Sequence, residues 1–243
     1  MIKSIFSVLM IAVILLLASC KKDSETATPS TQVKTYTEDV TSSATHMAVT
    51  YNVSYDGNGR ITALESTTGN NKFVYTYPTA TTYSMEIIES NALSIHVDFF
   101  LNSFSLVDSS LQYNDTHDST TEKYNYNSAK QIISLKSYNY SKLNGSILDE
   151  MHTYTYDANG NQVKDISSSG SVVTSDYSTT ANTLSFGLPY NYVPPFLVQK
   201  TTTVKGGSTV VINYTYTFDS SNRITSEKDI YSTGEVVIKT YTY

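Results

Sequence analysis

Oxygen-bearing side chains at close spacing are the first residues here that could do chemistry. Asp56 with Asn58, and Asp157 with Asn159 and Asn161, place oxygens at alternate positions. A calcium loop uses that spacing, but it also needs further carboxylates and a bidentate terminal Glu, and neither run has one. The simpler use of such residues is to accept backbone N–H groups across a tight turn. A second cluster, Asp115, His117, Asp118 and Glu122, falls in the hydrophilic stretch 114–122. It has the donor types of a metal site and no second ligand group at a suitable distance along the chain. His46, His96 and His152 stand isolated in the sequence. No G-x-S-x-G, H-E-x-x-H or phosphate-cradling loop occurs. The expectation is therefore no catalytic residue, no metal and no cofactor.

The most specific chemistry lies at the N-terminus. Lys3 gives a short positive start, and residues 5–17 are mostly apolar. About 20 apolar residues are needed to span a bilayer as a helix, so this run suits a signal peptide that is removed. It ends in Leu17-Ala18-Ser19-Cys20, which resembles the lipobox of bacterial lipoproteins. The small residues at 18 and 19 admit a peptidase, and the Cys20 thiol takes a diacylglyceryl group. Cys20 is the sole cysteine of the 243 residues, so no disulfide within the chain can form and thiol catalysis is excluded. Residues 1–19 are read as signal peptide, and 20–32 as the acylated cysteine with a flexible tether. Lys21-Lys22-Asp23 resembles lipoproteins carried to the outer membrane of Gram-negative bacteria. The partner this implies is a membrane, reached through the lipid, with the periplasmic or surface face left undecided.

These residues need elements to carry them, and the composition indicates which. Charged residues are 16%, and serine and threonine number 34 each. Tyrosine is 21, tryptophan 0, and the arginines are Arg60 and Arg223. Such a chain favours strands over helices. The net charge of −6 supplies no basic footprint for nucleic acid. Residues 33–243 read as one domain of alternating strands. Met47, Val49, Tyr51, Val53 and Tyr55 point one way and Ala48, Thr50, Asn52 and Ser54 the other. Val210, Ile212, Tyr214, Tyr216 and Phe218 alternate in the same manner, as do Leu93, Ile95, Val97 and Phe99, and Phe73, Tyr75 and Tyr77. Hairpin units recur at Asp56 to Gly59, Asp157 to Gly160 and Asp219 to Asn222, where Gly59, Gly160 and Asn222 tolerate the positive φ of a bulged turn. Residues 126–132 form a weaker copy, with Lys130 where that residue should stand. Some 13–17 strands are expected. Open sheets rarely exceed about 10 strands, so the antiparallel meander should roll up or close around its tyrosine-rich face. Residues 182–198, with three prolines, break the rhythm and are expected to plug one end, the alternative being a ligand-binding lip.

The Tyr-Asp-x-x-Gly-Arg units resemble the YD repeats of bacterial Rhs-type shells. More fully, residues 33–243 resemble a family of bacterial lipoproteins described as a domain of unknown function with a porin-like fold. The resemblance rests on residues 51–61, on Phe100-Leu101-Asn102-Ser103 with Val107-Asp108-Ser109-Ser110, on residues 154–161, on residues 214–223 and on Tyr241-Thr242-Tyr243. It implies a meander curved like a porin wall and carries over no catalytic residue. The functional reading is a non-enzymatic envelope lipoprotein, binding or structural, with a glycan or envelope protein as possible partner. The alternative is a glycan- or lipid-binding surface lipoprotein using its tyrosine faces. A transmembrane barrel fits less well, because aromatics there are confined to girdles, and an enzyme fits least.

Overall fold

The computed structural model describes residues 32–113, 119–141, 145–184, 186 and 193–243. Period-two alternation produces sixteen strands: β1 (Thr35–Thr41), β2 (His46–Tyr55), β3 (Ile61–Ser66), β4 (Lys72–Thr79), β5 (Thr82–Glu89), β6 (Ala92–Leu101), β7 (Val107–Tyr113), β8 (Ser119–Tyr126), β9 (Ile132–Ser141), β10 (Gly145–Tyr156), β11 (Gln162–Ser167), β12 (Val172–Ala181), β13 (Phe196–Lys205), β14 (Ser208–Phe218), β15 (Ile224–Tyr231) and β16 (Val236–Thr242). Each pairs antiparallel with the next, and β16 returns to pair with β1, so the sheet is a closed barrel. Among the described residues there is no helix.

Closure follows from the pattern. A sheet with one apolar face must cover that face, and its two edge strands must satisfy their open N–H and C=O groups. Rolling the meander until β1 meets β16 does both at once. The seam is continuous from Thr35 opposite Thr242 to Thr41 opposite Val236.

The inward face is the aromatic and aliphatic one. Tyr36 faces Tyr241 on one side and Tyr51 on the other. The three rings stack at 5.7 and 6.2 Å, and Phe73 meets Tyr51 edge-on at 5.9 Å. Tyr83 lies flat on Phe99 at 4.4 Å. Ile61, Leu64, Tyr75, Met85, Ile87 and Val97 fill the space around these rings. The outward face is held by side-chain pairs between neighbouring strands, such as Thr37 with Thr50 at 2.9 Å and Thr35 with Thr242 at 2.7 Å.

Three local readings are refined by the structure. The register of β5 against β6 shifts where Ile87 and Ile88 face Ile95 and Leu93. Leu93 is thereby turned outward and is half exposed, although Ile95, Val97 and Phe99 keep the inward face. Part of the hydrophilic stretch 114–122 is strand, since β8 begins at Ser119. Likewise β13 begins at Phe196, directly after Pro195, because a proline can precede a strand without costing it a hydrogen bond. The break in the rhythm is correspondingly shorter than 182–198.

Truncating an inward ring should cost far more than trimming an outward polar group. Tyr36→Ala is expected to lower the unfolding free energy by about 3–5 kcal/mol, and Ser54→Ala on the outer wall by under ~0.5 kcal/mol. Urea denaturation of the purified protein measures both, and equal losses would invalidate the inward and outward assignment.

Candidate functional site

Every connection from an even to an odd strand lies at one end of the barrel, which is also where the chain enters β1. Here stand Asp56, Gly59, Asp157, Gly160, Asp219 and Asn222. Asp56 Oδ1 accepts the N–H groups of Asn58 and Arg60, both at 2.9 Å, and its Oδ2 takes the Arg60 guanidinium at 2.7 Å. Asp219 repeats this with Ser221 and Arg223 at the same distances. In the third copy Asn161 replaces arginine, and its amide reaches Asp157 at 2.9 Å. Partial burial opposes ionisation of Asp56, but the backbone and guanidinium donors outweigh it and hold the carboxyl below its usual range. The Arg223 N–H bond leads the same lowering at Asp219, and the Asn161 amide at Asp157.

The residue before each exit position has positive φ: +76° at Gly59, +87° at Gly160 and 60° at Asn222. Two further turns share the geometry. Lys130 adopts φ 62° while Asn127 Oδ1 accepts from Ala129 and Gln131, both at 3.0 Å. Ser105 adopts φ 59° beneath Asn102, whose Oδ1 accepts from Phe104 and Leu106. Lys130 therefore does not break the turn. The side-chain oxygen four residues before the exit pays for the strained φ by closing two backbone donors.

A second device sits above these turns, and sequence reasoning missed it. Six tyrosine hydroxyls donate to backbone carbonyls at the starts of neighbouring strands: Tyr55 to Val33, Tyr77 to Ile61, Tyr126 to Val107, Tyr156 to Ile132, Tyr177 to Gln162 and Tyr243 to Ile224, at 2.6–2.9 Å. In each case the ladder between the two strands has opened, and the tyrosine is the residue just past the one that continued pairing would place opposite the carbonyl. The phenol replaces the missing ladder bond. Arg60 and Arg223 add a planar cation over the rings of Tyr77 and Tyr243, at 4.0 and 4.4 Å. The clue was present in the recurrence of tyrosine at the ends of even strands, but the hydroxyl's partner depends on register, which periodicity does not specify.

Inside the barrel are two charged clusters. Lys239 faces Glu38 across the β1–β16 seam and Glu227 across β15. Its Nζ lies 2.6 Å from Glu227 and 2.9 Å from Asp229. Lys239 is 6% exposed and Asp229 3%. One ammonium cannot neutralise two buried carboxylates. Burial, with Glu227 beside it, drives the Asp229 carboxyl upward against the pull of Lys239, and among the described residues its Oδ1 has no hydrogen-bond partner. The second cluster centres on His152. Its Nδ1 is 2.9 Å from Asp165, and its Nε2 is 3.6 Å from Glu150. The Asp165 bond raises the imidazole above its ordinary value. Ser167 and Ser169 both donate to Glu150. Because the Ser167 hydroxyl points to a carboxylate and not to His152, no serine–histidine nucleophile forms there.

The histidines are thus not isolated: on the outer wall His46 of β2 pairs with Asp39 of β1 at 2.9 Å, and His96 pairs with Asp98 of its own strand at 3.0 Å. Glu122 faces inward and accepts from Ser110 at 3.1 Å and from the Tyr124 hydroxyl. Asp115, His117 and Asp118 lie outside the described residues, as do Leu17, Ala18, Ser19 and Cys20. Of the segment between β12 and β13, Phe186 enters the barrel. It meets Tyr36 edge-on at 5.9 Å and Tyr241 at 6.0 Å, and is 1% exposed. Asn161 anchors the segment's return by accepting the Phe196 N–H at 3.2 Å.

Fold and interior together define a closed antiparallel barrel of the porin-like class, with sixteen strands and an occupied interior. The crystal structure of a porin-like protein from Bacteroides uniformis ATCC 8492 superposes with a TM-score of 0.63 at 14% identity, covering 88% of this chain and 97% of that one. A porin-like protein from Bacteroides vulgatus ATCC 8482 gives 0.60 at 12%, over 87% and 98%. These likenesses establish the fold. No protein-family model matches the sequence, and no curated protein matches it significantly.

Two measurements test this interior. Tyr77→Phe and Tyr243→Phe each leave a carbonyl without its donor and are expected to cost about 1–3 kcal/mol, whereas Tyr140→Phe on the outer wall should be near neutral. Equal melting shifts for all three would remove the tyrosines' assigned role. For pH, the lowered carboxyls of Asp56, Asp157, Asp219 and Glu150 stabilise the fold above the usual carboxylate range, and that contribution disappears as pH falls below about 4. The raised groups act oppositely. Folded Asp229 keeps a proton that the unfolded chain releases near pH 4, so its contribution declines as pH rises from there. The stabilisation from His152 is complete below about 6.5 and is lost above it. Melting temperature against pH should therefore peak between about 5 and 6, and Asp229→Asn should flatten the decline above the peak.

Proposed function

We propose that the chain is a lipid-anchored protein of the cell envelope, non-enzymatic, whose barrel stands in water beside the membrane. The observation that carries this reading is the polarity of the wall. Lys123, Lys136, Lys164, Lys200 and Lys228 all project outward from within their strands, among serines and threonines. A lysine on a lipid-facing strand costs about 2–4 kcal/mol at the bilayer midplane, and five would prohibit insertion. Some strands are also too short to cross, although others reach 10–12 residues. β3 and β11 have six residues each, against about 9–11 for a strand that crosses. The aromatic face that would have to meet lipid is turned inward.

A water-facing barrel reaches the membrane by another route, and the sequence Leu17-Ala18-Ser19-Cys20 supplies one. Two acyl chains give stable anchorage. The chain enters β1 at the end that carries the Asp turns, so a tether from Cys20 holds that end towards the bilayer and presents the opposite end outward. The interior supports a non-enzymatic role, since its carboxylates and its buried lysine are engaged with one another and with the wall. The function is then recognition or scaffolding on the outer surface.

The test is a fatty-acid probe combined with fractionation. Wild-type protein is expected to take the label and to sediment with membranes. Cys20→Ala is expected to lose the label and appear in the soluble fraction, folded and unshifted by heating on a gel. Protein that stays in the membrane without label, with heat-modifiable mobility, would establish a transmembrane barrel instead.

A further inference from the structure

Serines and threonines predominate on the outer wall, with exposed apolar side chains such as Leu93, Ile166, Ile230 and Ile238 and single charges among them, and at one place two like charges meet. Lys123 on β8 and Lys136 on β9 are directly opposed. Like charges directly opposite on a sheet destabilise it, and among the described residues neither lysine has a carboxylate within ion-pair distance. This occurs on a chain whose net charge is −6, where carboxylates are the more plentiful charge. The acids Asp108 and Asp149 stand at bulges nearby and make no bridge to either lysine.

Tyrosines surround the pair, although tyrosine elsewhere points inward. Tyr138 is two residues beyond Lys136 on the same face, with Lys123 Nζ 5.9 Å from its ring centre. Tyr113 and Tyr140 both lie opposite Ser119, one on each side of β8, and each is 46% exposed. They stand about 10 Å apart by strand spacing. Three phenol faces beside two ammonium groups that no described carboxylate pairs form a surface that stacks flat rings and draws in anions. The phenols are near the end of the barrel opposite the chain's entry to β1, where a tether leaves the wall accessible.

We propose that the outer wall of β7 to β9 binds an anionic polysaccharide, a uronic-acid polymer in chemical class, with its carboxylates on Lys123 and Lys136 and its sugar rings on Tyr138, Tyr113 and Tyr140. Charge complementarity selects the anion, and the exposed rings select a sugar over a bare charged surface. The proposal rests on the reading that this wall faces water, which fractionation tests separately. A soluble, folded protein that binds nothing would overturn the ligand and leave the water-facing barrel standing.

The experiment is affinity electrophoresis of the purified full chain in gels containing polygalacturonate, its methyl-esterified form or polyacrylate, with flotation on vesicles rich in anionic lipid as a fourth arm. Retardation by polygalacturonate is expected, and it should be weaker by at least about tenfold in apparent affinity with the esterified polymer. Lys123→Gln with Lys136→Gln should abolish it. Tyr138→Ala should weaken it by roughly threefold to tenfold. The lysine double variant removes a repulsion, so its melting temperature should be unchanged or higher, and a marked fall would make the pair structural and overturn the site. Equal retardation by polyacrylate would reduce the surface to unspecific charge. Binding to vesicles in place of polygalacturonate would assign it to lipid. No retardation, or retardation unaltered in the variants, also overturns the proposal.

Discussion

Everything in this molecule depends on one pairing, that of β1 with β16. Fifteen of the sixteen strand contacts join neighbours in sequence, and any of them could form in a flat ribbon. Only the seam converts the ribbon into an enclosure with an inside. Tyr36 and Tyr241 meet across it, Phe186 rests against both, and Lys239 faces Glu38 one step along. The largest aromatic cluster and the most deeply buried cation therefore sit on the join itself. Closure and core formation are here the same event.

The Asp turns and the tyrosine hydroxyls solve a problem that closure creates. Strands in a barrel are tilted and staggered, so at one end of each hairpin the ladder opens before the chain has turned. A bulge absorbs the stagger, a residue at positive φ absorbs the bulge, and an aspartate or asparagine oxygen holds the turn. The phenol of the next even strand then satisfies the carbonyl left exposed. In β13 and β14 the equivalent position is Phe218, which lacks a hydroxyl. That is the hairpin beside the segment carrying Phe186, where Asn182 instead donates to the Pro195 carbonyl at 2.9 Å.

Much of this was legible in the sequence, for physical reasons. Alternation with a period of two is imposed by the pleat, so the faces of β2, β4 and β14 could be read from the order of apolar and polar residues. The Asp-x-x-Gly turns declare themselves because few residues tolerate their φ. The all-β antiparallel meander follows from these signals, and their number implied that it must curl, though closure was left open beside an open sheet. What could not be read depends on register. Leu93 faces outward because a single extra residue shifts β6, and nothing in an apolar, β-favouring run marks that residue. Lys239 reads as an ordinary surface lysine until β15 places Glu227 and Asp229 beside it. His46 and His152 look isolated because their partners, Asp39 and Asp165, come from another strand. The opposed Lys123 and Lys136 are thirteen residues apart in sequence and become neighbours only through the β8–β9 pairing.

The seam also bears on how the chain reaches its folded state. Hairpins between adjacent strands close short loops and form on the microsecond scale. The β1–β16 pairing joins residues some two hundred positions apart, and the entropy of that closure must be met before any of its contacts form. Assembly therefore runs hairpin by hairpin towards a long curved ribbon with two bare edges, and the last step is slow. Until it completes, the ribbon offers unpaired backbone to any other strand it meets, including those of a second copy. The lifetime of this open ribbon, set by how fast β1 finds β16, therefore governs how long its two edges are exposed to strand exchange.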